Sequence, residues 1–106
     1  MFKLCFYVPE SHLETVKEAL FAQGAGQFNA YDQCCWQVLG EGQFRPLPGS
    51  QPFLGEADQL KKLAEYKVEM ICKDDIIKPV IQTLLDSHPS EEPAYQVYKI
   101  LTIADL

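Results

Sequence analysis

One histidine and two carboxylates lie close together near the end of the chain, in the segment His88-Pro89-Ser90-Glu91-Glu92. An imidazole nitrogen together with carboxylate oxygens suits several divalent transition metals. His88, Glu91 and Glu92 therefore form one candidate metal site. The competing interpretation is structural, because a histidine at a helix end also caps carbonyl groups or hydrogen-bonds the following turn.

The only arginine of the chain, Arg45, lies in a segment rich in glycine and proline. A guanidinium group beside accessible backbone amides can hold a phosphate or a carboxylate. The second candidate site, for a ligand or a partner, consists of Gly42, Phe44, Arg45, Pro46, Gly49 and Ser50. The glycines follow a predicted strand and do not open a helix, so they form neither a dinucleotide fingerprint nor a phosphate loop. The alternative role of Arg45 is a salt bridge between subunits.

Catalysis has little support in the sequence. The two histidines, His12 and His88, are far apart, and no Ser-His-Asp or Cys-His arrangement can be assembled from them. The cysteines contain no CxxC pair and no zinc-ligand spacing; they are Cys5, Cys34, Cys35 and Cys72. We expect four buried or half-buried thiols, no cofactor and no enzyme activity.

The composition is that of one globular domain covering residues 1–106, with 47% hydrophobic and 23% charged residues. The net charge of −6 disfavours binding to nucleic acid or to an anionic membrane surface, because both require clustered basic residues. No apolar run approaches the roughly 20 residues that span a bilayer. The first residues resemble a strand rather than a signal peptide, so we expect a cytoplasmic protein.

The first part of the chain predicts a strand, a helix and a second strand. Residues 2–8 alternate between apolar and other residues, which is typical of a strand. Ser11 and Glu14 fit a capping box at the start of a helix that reaches Gln23. Residues 30–39 suit a strand, with Gly40 and Gly42 bracketing the turn after it.

The second part of the chain predicts a loop and then the order strand, helix, strand. Residues 44–55 contain several prolines and glycines but also apolar side chains, which predicts an ordered loop. Residues 61–72 alternate like a strand, with Glu65, Lys67 and Glu69 on a solvated face opposite the apolar residues. Residues 76–88 carry a helical apolar stripe. Asp74 or Asp75 can cap this helix, Pro79 distorts its first turn and Pro89 ends it. Residues 94–101 form the last strand.

This order predicts an α+β, ferredoxin-like βαββαβ sandwich, with an antiparallel sheet and both helices on one face. The core face holds the even residues of 2–8, together with Tyr66, Val68 and Met70. The opposite face carries Cys5, Tyr7 and aromatic residues of the second and fourth strands, with no helix to cover it. Exposed aromatic sheet faces usually find a partner, which indicates self-association.

Two stretches carry a resemblance to a known family. The first runs from Gly24-Ala25-Gly26 through Trp36 and Gly40-Glu41-Gly42-Gln43-Phe44-Arg45-Pro46 to Gly55; the second is His88-Pro89-Ser90-Glu91-Glu92-Pro93-Ala94-Tyr95. They resemble the small domain inserted in bacterial YqfO-type proteins of the NIF-three-like family, which is similar in fold to CutA and the PII signalling proteins. Ser90 departs from the tyrosine that is usual in that segment. The resemblance implies a trimer-forming module, and we expect it to carry over neither the metal centre nor the hydrolase activity of the family's flanking halves, whose histidine and carboxylate ligands have no counterparts among residues 1–106.

The leading hypothesis is therefore an oligomeric binding or regulatory module without catalytic activity. It forms a homo-oligomer, expected to be a trimer, and binds a small anionic ligand or a protein partner. The alternative is a divalent-metal-binding or metal-tolerance protein of the CutA type that uses the segment around His88. A third hypothesis, a small enzyme acting on a nucleotide, rests on the naming of the parent family alone. We further expect Phe53 and Leu54 to pack on a neighbouring element, in an adjacent subunit, with Arg45 at that junction paired to a carboxylate or an anion.

Overall fold

The computed structural model describes residues 1–106 and has the predicted order of elements. The strands are β1 (Phe2–Val8), β2 (Trp36–Phe44), β3 (Lys61–Cys72) and β4 (Tyr95–Lys99), and the helices are α1 (Glu10–Ala22) and α2 (Ile77–Ser87). The strands form one sheet in the order β2-β3-β1-β4, and every neighbouring pair is antiparallel. The prediction of an α+β, ferredoxin-like βαββαβ fold is confirmed.

The core lies between one face of the sheet and the two helices. Leu4, Phe6 and Val8 of β1 are fully buried, as their alternation predicts. They are joined from β3 and the helices by Val68, Met70, Leu13, Val16, Leu20, Val80 and Leu84. The predicted core face is therefore confirmed, with Tyr66 at its margin.

The opposite face of the sheet has no helix over it. The strand register places Trp36 of β2 beside Glu69, and Tyr98 of β4 beside Lys3, on the same face as Cys5. Trp36 is 69% exposed and Tyr98 is 52% exposed, whereas Cys5 is buried. The predicted open face with aromatic residues from the second and fourth strands is confirmed.

The position of β2 corrects the sequence analysis. The strand covers Trp36–Phe44, not residues 30–39, and Gly40 and Gly42 lie inside it rather than around a turn. Asn29 and Gln33 have positive φ angles, which interrupt any extended strand before residue 34. The pairing with β3 continues through both glycines as far as Phe44, opposite Lys61. Backbone pairing with a long neighbour thus defines this strand more than side-chain pattern does.

The capping box predicted for the first helix is wrong. The helix begins at Glu10, directly after Pro9, and has no side-chain cap. The hydroxyl group of Ser11 instead lies 2.8 Å from Nδ1 of His12. Glu14 pairs with Lys17, one turn further along the helix.

The second helix starts with a distorted turn, as the position of Pro79 indicated. The expected aspartate cap is absent. A 3-10 turn at Asp74–Ile76 precedes α2, and Pro79 is the third residue of α2, where a backbone N–H has no partner within the helix. Asp74 forms ion pairs with the N-terminal ammonium group and with Lys99 instead. The helix ends before Pro89, since His88 is extended with ψ of 139°. Neither helix of the chain is long and apolar enough to traverse a bilayer.

Candidate functional site

A cavity of about 560 Å³ lies at the end of the sheet where β1 and β2 stop. Tyr7 and Pro9 contribute the end of β1, and Leu63 and Glu65 contribute the start of β3. The chain termini lie at the other end of β1, where the amide of Ile100 donates a hydrogen bond to the carbonyl of Met1. The remaining walls are the loop after β2 and the turn after α2.

The cavity brings together residues of the two candidate sites that were predicted separately from the sequence. Its walls include Phe44, Arg45, Pro46 and Ser50 from the glycine- and proline-rich segment, and His88, Glu91 and Glu92 from the turn after α2. Two of the predicted ligand-binding residues, Gly42 and Gly49, do not line it. The tertiary structure therefore replaces two hypothetical sites with one.

The loop after β2 is ordered and attached to the turn after α2. The backbone amide of Gln51 donates a hydrogen bond of 3.0 Å to Oε2 of Glu91. The amide and the hydroxyl group of Ser50 both donate to the carbonyl of Leu47, at 3.1 and 2.7 Å. Gly49 has a φ angle of +93°, which a residue with a side chain rarely adopts, so it permits this turn. Gly49 thus shapes the wall of the cavity without lining it.

His88 is held by hydrogen bonds on both of its ring nitrogens. Nε2 lies 2.6 Å from the carbonyl oxygen of Tyr7, and the amide of Ser90 donates to Nδ1 at 3.1 Å. Because Nδ1 accepts and Nε2 donates, the ring is the neutral tautomer. Burial lowers the pKa of His88, and only 8% of the residue is exposed. This geometry matches the structural interpretation of His88, a residue that connects β1 to the turn.

The three candidate metal ligands are near one another but are not arranged as a coordination site. Neither nitrogen of His88 is left free, and Glu91 accepts the hydrogen bond from Gln51. No group of three or more histidine, cysteine, aspartate or glutamate residues in the chain is placed to hold a metal ion. A metal at this position would have to break the existing hydrogen bonds of the turn.

Arg45 and the apolar residues of the loop face the cavity and the solvent. Arg45 is exposed and takes part in none of the salt bridges of the chain. The rings of Phe53 and of His12 on the first helix pack edge to face, with 5.4 Å between ring centroids. Phe53 and Leu54 remain 47% and 38% exposed. The expected packing of Phe53 is thus found on an element of the same chain, and contact with an adjacent subunit stays a prediction.

Glu65 is a cavity residue that the sequence analysis missed. Its alternation with Lys67 and Glu69 suggested an ordinary solvent-facing position. In the structure it is half-buried, and burial raises the pKa of its carboxyl group with no hydrogen bond or neighbouring charge to offset it. A Cβ atom on Gly42 would overlap with Oε1 of Glu65, so the carboxyl group lies over that glycine. A glycine inside a strand often marks such a close approach, and this was the available signal.

The cysteines take no part in the cavity. Cys5 and Cys72 are buried and Cys34 is half-buried, as expected, but the expectation is wrong for Cys35, which is exposed; all four are free thiols. Burial raises the pKa of Cys72 to about 11, which leaves its thiol protonated and unreactive at neutral pH.

The four-stranded antiparallel sheet with both helices on one face defines an α+β domain of the CutA/PII-like fold. The structure superposes on CutA from Pyrococcus horikoshii with a TM-score of 0.68 over 97% of this chain and 87% of that chain, at 14% identity. It also superposes on the PII-like protein CutA from a Nostoc species with a TM-score of 0.65, over 100% and 86% of the two chains at 18% identity. At these identities the likeness shows the fold alone.

Sequence similarity relates the chain to one part of a longer protein. It is 39% identical over 98 residues to the GTP cyclohydrolase 1 type 2 homolog of Bacillus subtilis, a match that covers 92% of this chain and 26% of the relative. A Bacillus cereus protein related to NIF3 superposes with a TM-score of 0.79 at 34% identity, over 92% of this chain and 24% of that one. No family model matches the chain. The chain is homologous to the inserted domain of these proteins and spans about a quarter of their length.

Proposed function

We propose that this domain is an oligomeric binding or regulatory module without catalytic activity, and that its ligand or partner binds at the cavity. The observation that carries the proposal is the meeting of two distant segments at one cavity. Arg45, in the loop after β2, has no ion-pair partner in the chain. The amide of Gln51 in the same loop donates a hydrogen bond to Glu91 in the turn after α2, and this bond connects the two segments. A charged group without a partner beside apolar walls is typical of a binding site.

Self-association is supported by the open face of the sheet. Trp36, Val38 and Tyr98 lie there and are each at least half exposed. Strand β2 is at the edge of the sheet and offers unpaired backbone groups along its outer side. The CutA/PII-like fold favours a homotrimer as the form of this assembly.

The absence of catalysis is proposed on the chemistry of the candidate residues. His88 is neutral and engaged at both nitrogens, so it has no lone pair available to act as a general base. The thiol of Cys72 is buried with a raised pKa. The relatives are named after a cyclohydrolase, but this chain spans about a quarter of their length. We propose that any such activity resides outside this domain.

The oligomeric state is tested by size-exclusion chromatography with light scattering. A trimer has three times the chain mass of 12.0 kDa. A monomer at micromolar concentration would contradict the proposal. The role of the cavity is tested by screening small anions and zwitterions with Arg45→Ala as the comparison, since saturable binding that survives this substitution would place the site elsewhere.

The metal alternative is tested by calorimetric titration with copper, zinc and manganese ions. We expect no saturable heat, because the ring of His88 would have to give up two hydrogen bonds before it could coordinate a cation. Saturable binding that disappears in His88→Ala and Glu91→Gln would support the alternative instead.

A further inference from the structure

The charge balance of the cavity is unfavourable for a ligand that carries only negative charge. One cationic residue, Arg45, lines the cavity together with three acidic residues, Glu65, Glu91 and Glu92. His88 adds no positive charge because its ring is neutral. A phosphate-rich molecule would be attracted by one group and repelled by three. The cavity therefore differs from a phosphate site, which gathers several cationic groups or backbone amides.

Glu65 is the carboxyl group of the cavity that most needs a partner. Glu91 already accepts the amide of Gln51, and Glu92 is exposed to water, whereas Glu65 is half-buried without a donor. Burial penalises an ionised carboxylate unless a donor or a cation compensates it. Gly42 leaves the space in which this carboxyl group lies, so its position is built into the strand pair.

Apolar side chains form the remainder of the walls around these two charges. Phe44, Leu54 and Leu63 line the cavity together with Arg45 and Glu65. Arg45 does not pair with Glu65 or with any other carboxylate of the chain, so both charges are available to a ligand. The volume of about 560 Å³ lies in the range of small-molecule sites.

From this arrangement we propose that the cavity binds an amphipathic zwitterion: an amino group contacts Glu65, an acidic group contacts Arg45, and an apolar body contacts Phe44, Leu54 and Leu63. The inference rests on the proposed function of the cavity as a binding site and adds the chemical class of the ligand. Glu65 then determines specificity, and Gly42 positions it. The same arrangement disfavours nucleoside triphosphates as ligands.

Four probes separate the contributions of the charges. Phenylalanine carries both charges and an apolar ring, phenethylamine carries only the cation, N-acetylphenylalanine carries only the anion, and GTP is a polyanion. Binding is followed by chemical shifts in two-dimensional NMR spectra of the labelled full chain. We expect the two probes with an ammonium group to bind at the cavity, and the two anions to bind at least about tenfold more weakly.

Matched variants test the role of Glu65 directly. Glu65→Gln keeps the size of the side chain and removes its charge. We expect this substitution to weaken the binding of phenylalanine and of phenethylamine by about tenfold. Gly42→Ala displaces the carboxyl group of Glu65 without removing it, and it should also weaken the binding of these two probes. Gly40→Ala is the control, because a Cβ atom there meets nothing within 4 Å. All three variants are checked for an unchanged circular dichroism spectrum.

Several results would overturn the proposal. Tighter binding of GTP or N-acetylphenylalanine than of the ammonium probes would do so, as would equal losses in Gly42→Ala and Gly40→Ala, or no binding by any probe. If the anions bind at the cavity and lose affinity in Arg45→Ala, the zwitterion inference fails while the proposed binding function stands. If the chain is a monomer and no small molecule contacts the cavity, the proposed function fails as well.

Discussion

The domain has two halves that share one sheet but differ in what covers it. In the covered half, β1 and the end of β3 lie under both helices, and residues such as Leu4, Phe6 and Val68 have no exposed surface. In the open half, β2 and the loop after it leave Trp36, Leu39 and many other apolar residues in contact with solvent. Phe44 and the loop after β2, which belong to the open half, also form part of the wall of the cavity.

The difference indicates that the covered half supplies most of the folding stability and that the open half supplies surface for binding. Apolar burial stabilises a fold in proportion to the area removed from water, and that burial is concentrated in the covered half. Exposed apolar area beside a cavity contributes little to folding and remains available to a partner or a ligand. Substitutions in the two halves should therefore differ in which measurement they change.

The largest effect is expected from Leu84→Ala in the covered half. Leu84 is fully buried on the second helix, so its truncation should lower the free energy of unfolding by about 2–5 kcal/mol. Leu85→Ala is the matched control, because Leu85 is 39% exposed and should cost less than about 1 kcal/mol. Urea unfolding of both variants measures the contrast. Equal losses would show that burial on the second helix does not govern the stability of the covered half.

The next largest effect concerns His88, which lies at the boundary between the halves. His88→Ala removes hydrogen bonds to Tyr7 and Ser90 and should cost about 2–3 kcal/mol. His12→Ala loses an exposed hydrogen bond with Ser11 and an edge contact with Phe53, and it should lower the free energy of unfolding by less than about 1 kcal/mol.

The pKa of His88 gives this prediction a pH dependence. Because burial lowers the pKa in the folded state from 6.5, the unfolded chain takes up the proton first as the pH falls. The stabilising contribution is therefore complete above pH 6.5 and is lost as the pH falls through the lowered value. Urea midpoints between pH 7.5 and pH 5 should fall for the wild type and less steeply for His88→Ala. Parallel slopes would contradict the buried neutral state.

In the open half, deletion of residues 47–53 should weaken assembly more than it weakens the fold. The deletion removes exposed apolar residues, including Leu47 and Phe53, and should raise the concentration at which the oligomer dissociates by about tenfold. Arg45→Ala should weaken assembly or ligand binding and leave the circular dichroism spectrum unchanged. Light scattering over a dilution series measures the first effect. If both variants dissociate at the same concentration as the wild type and bind ligand equally well, the loop contributes to neither assembly nor binding.

The smallest effect is a gain in stability from Glu65→Gln. Burial raises the pKa of Glu65 from 4.5, so ionisation destabilises the folded state as the pH rises through the raised value. The variant should therefore have a slightly higher urea midpoint than the wild type at pH 7, and the gain should vanish below pH 4.5. Glu69→Gln is the control with the opposite sign, since it loses a 3.4 Å ion pair with Lys3 that is worth about 0.2–1 kcal/mol. A loss of stability in Glu65→Gln would show that its carboxylate has a partner.

The two halves also differ in how far the sequence predicted them. The alternation in residues 2–8 and the stripe that includes Val80 and Leu84 identified the covered half correctly, because each pattern is local and is imposed by one buried face. The position of β2 was wrong, since Trp36–Phe44 contains two glycines and has little buried side-chain pattern. That strand is defined by hydrogen bonds to β3, which involve residues distant in the sequence.

The candidate site shows the same limit. Arg45 and His88 were identified from residue type, but as members of two separate sites, and Glu65 was assigned to a solvated face. The order of elements and most residues of the core could be predicted from the sequence, because both depend on local periodicity. The meeting of the segments around Arg45 and His88 at one cavity is visible only in the folded chain. The distance in space between these two segments depends on the packing of the whole sheet, because they are far apart in the sequence and no local pattern encodes their contact.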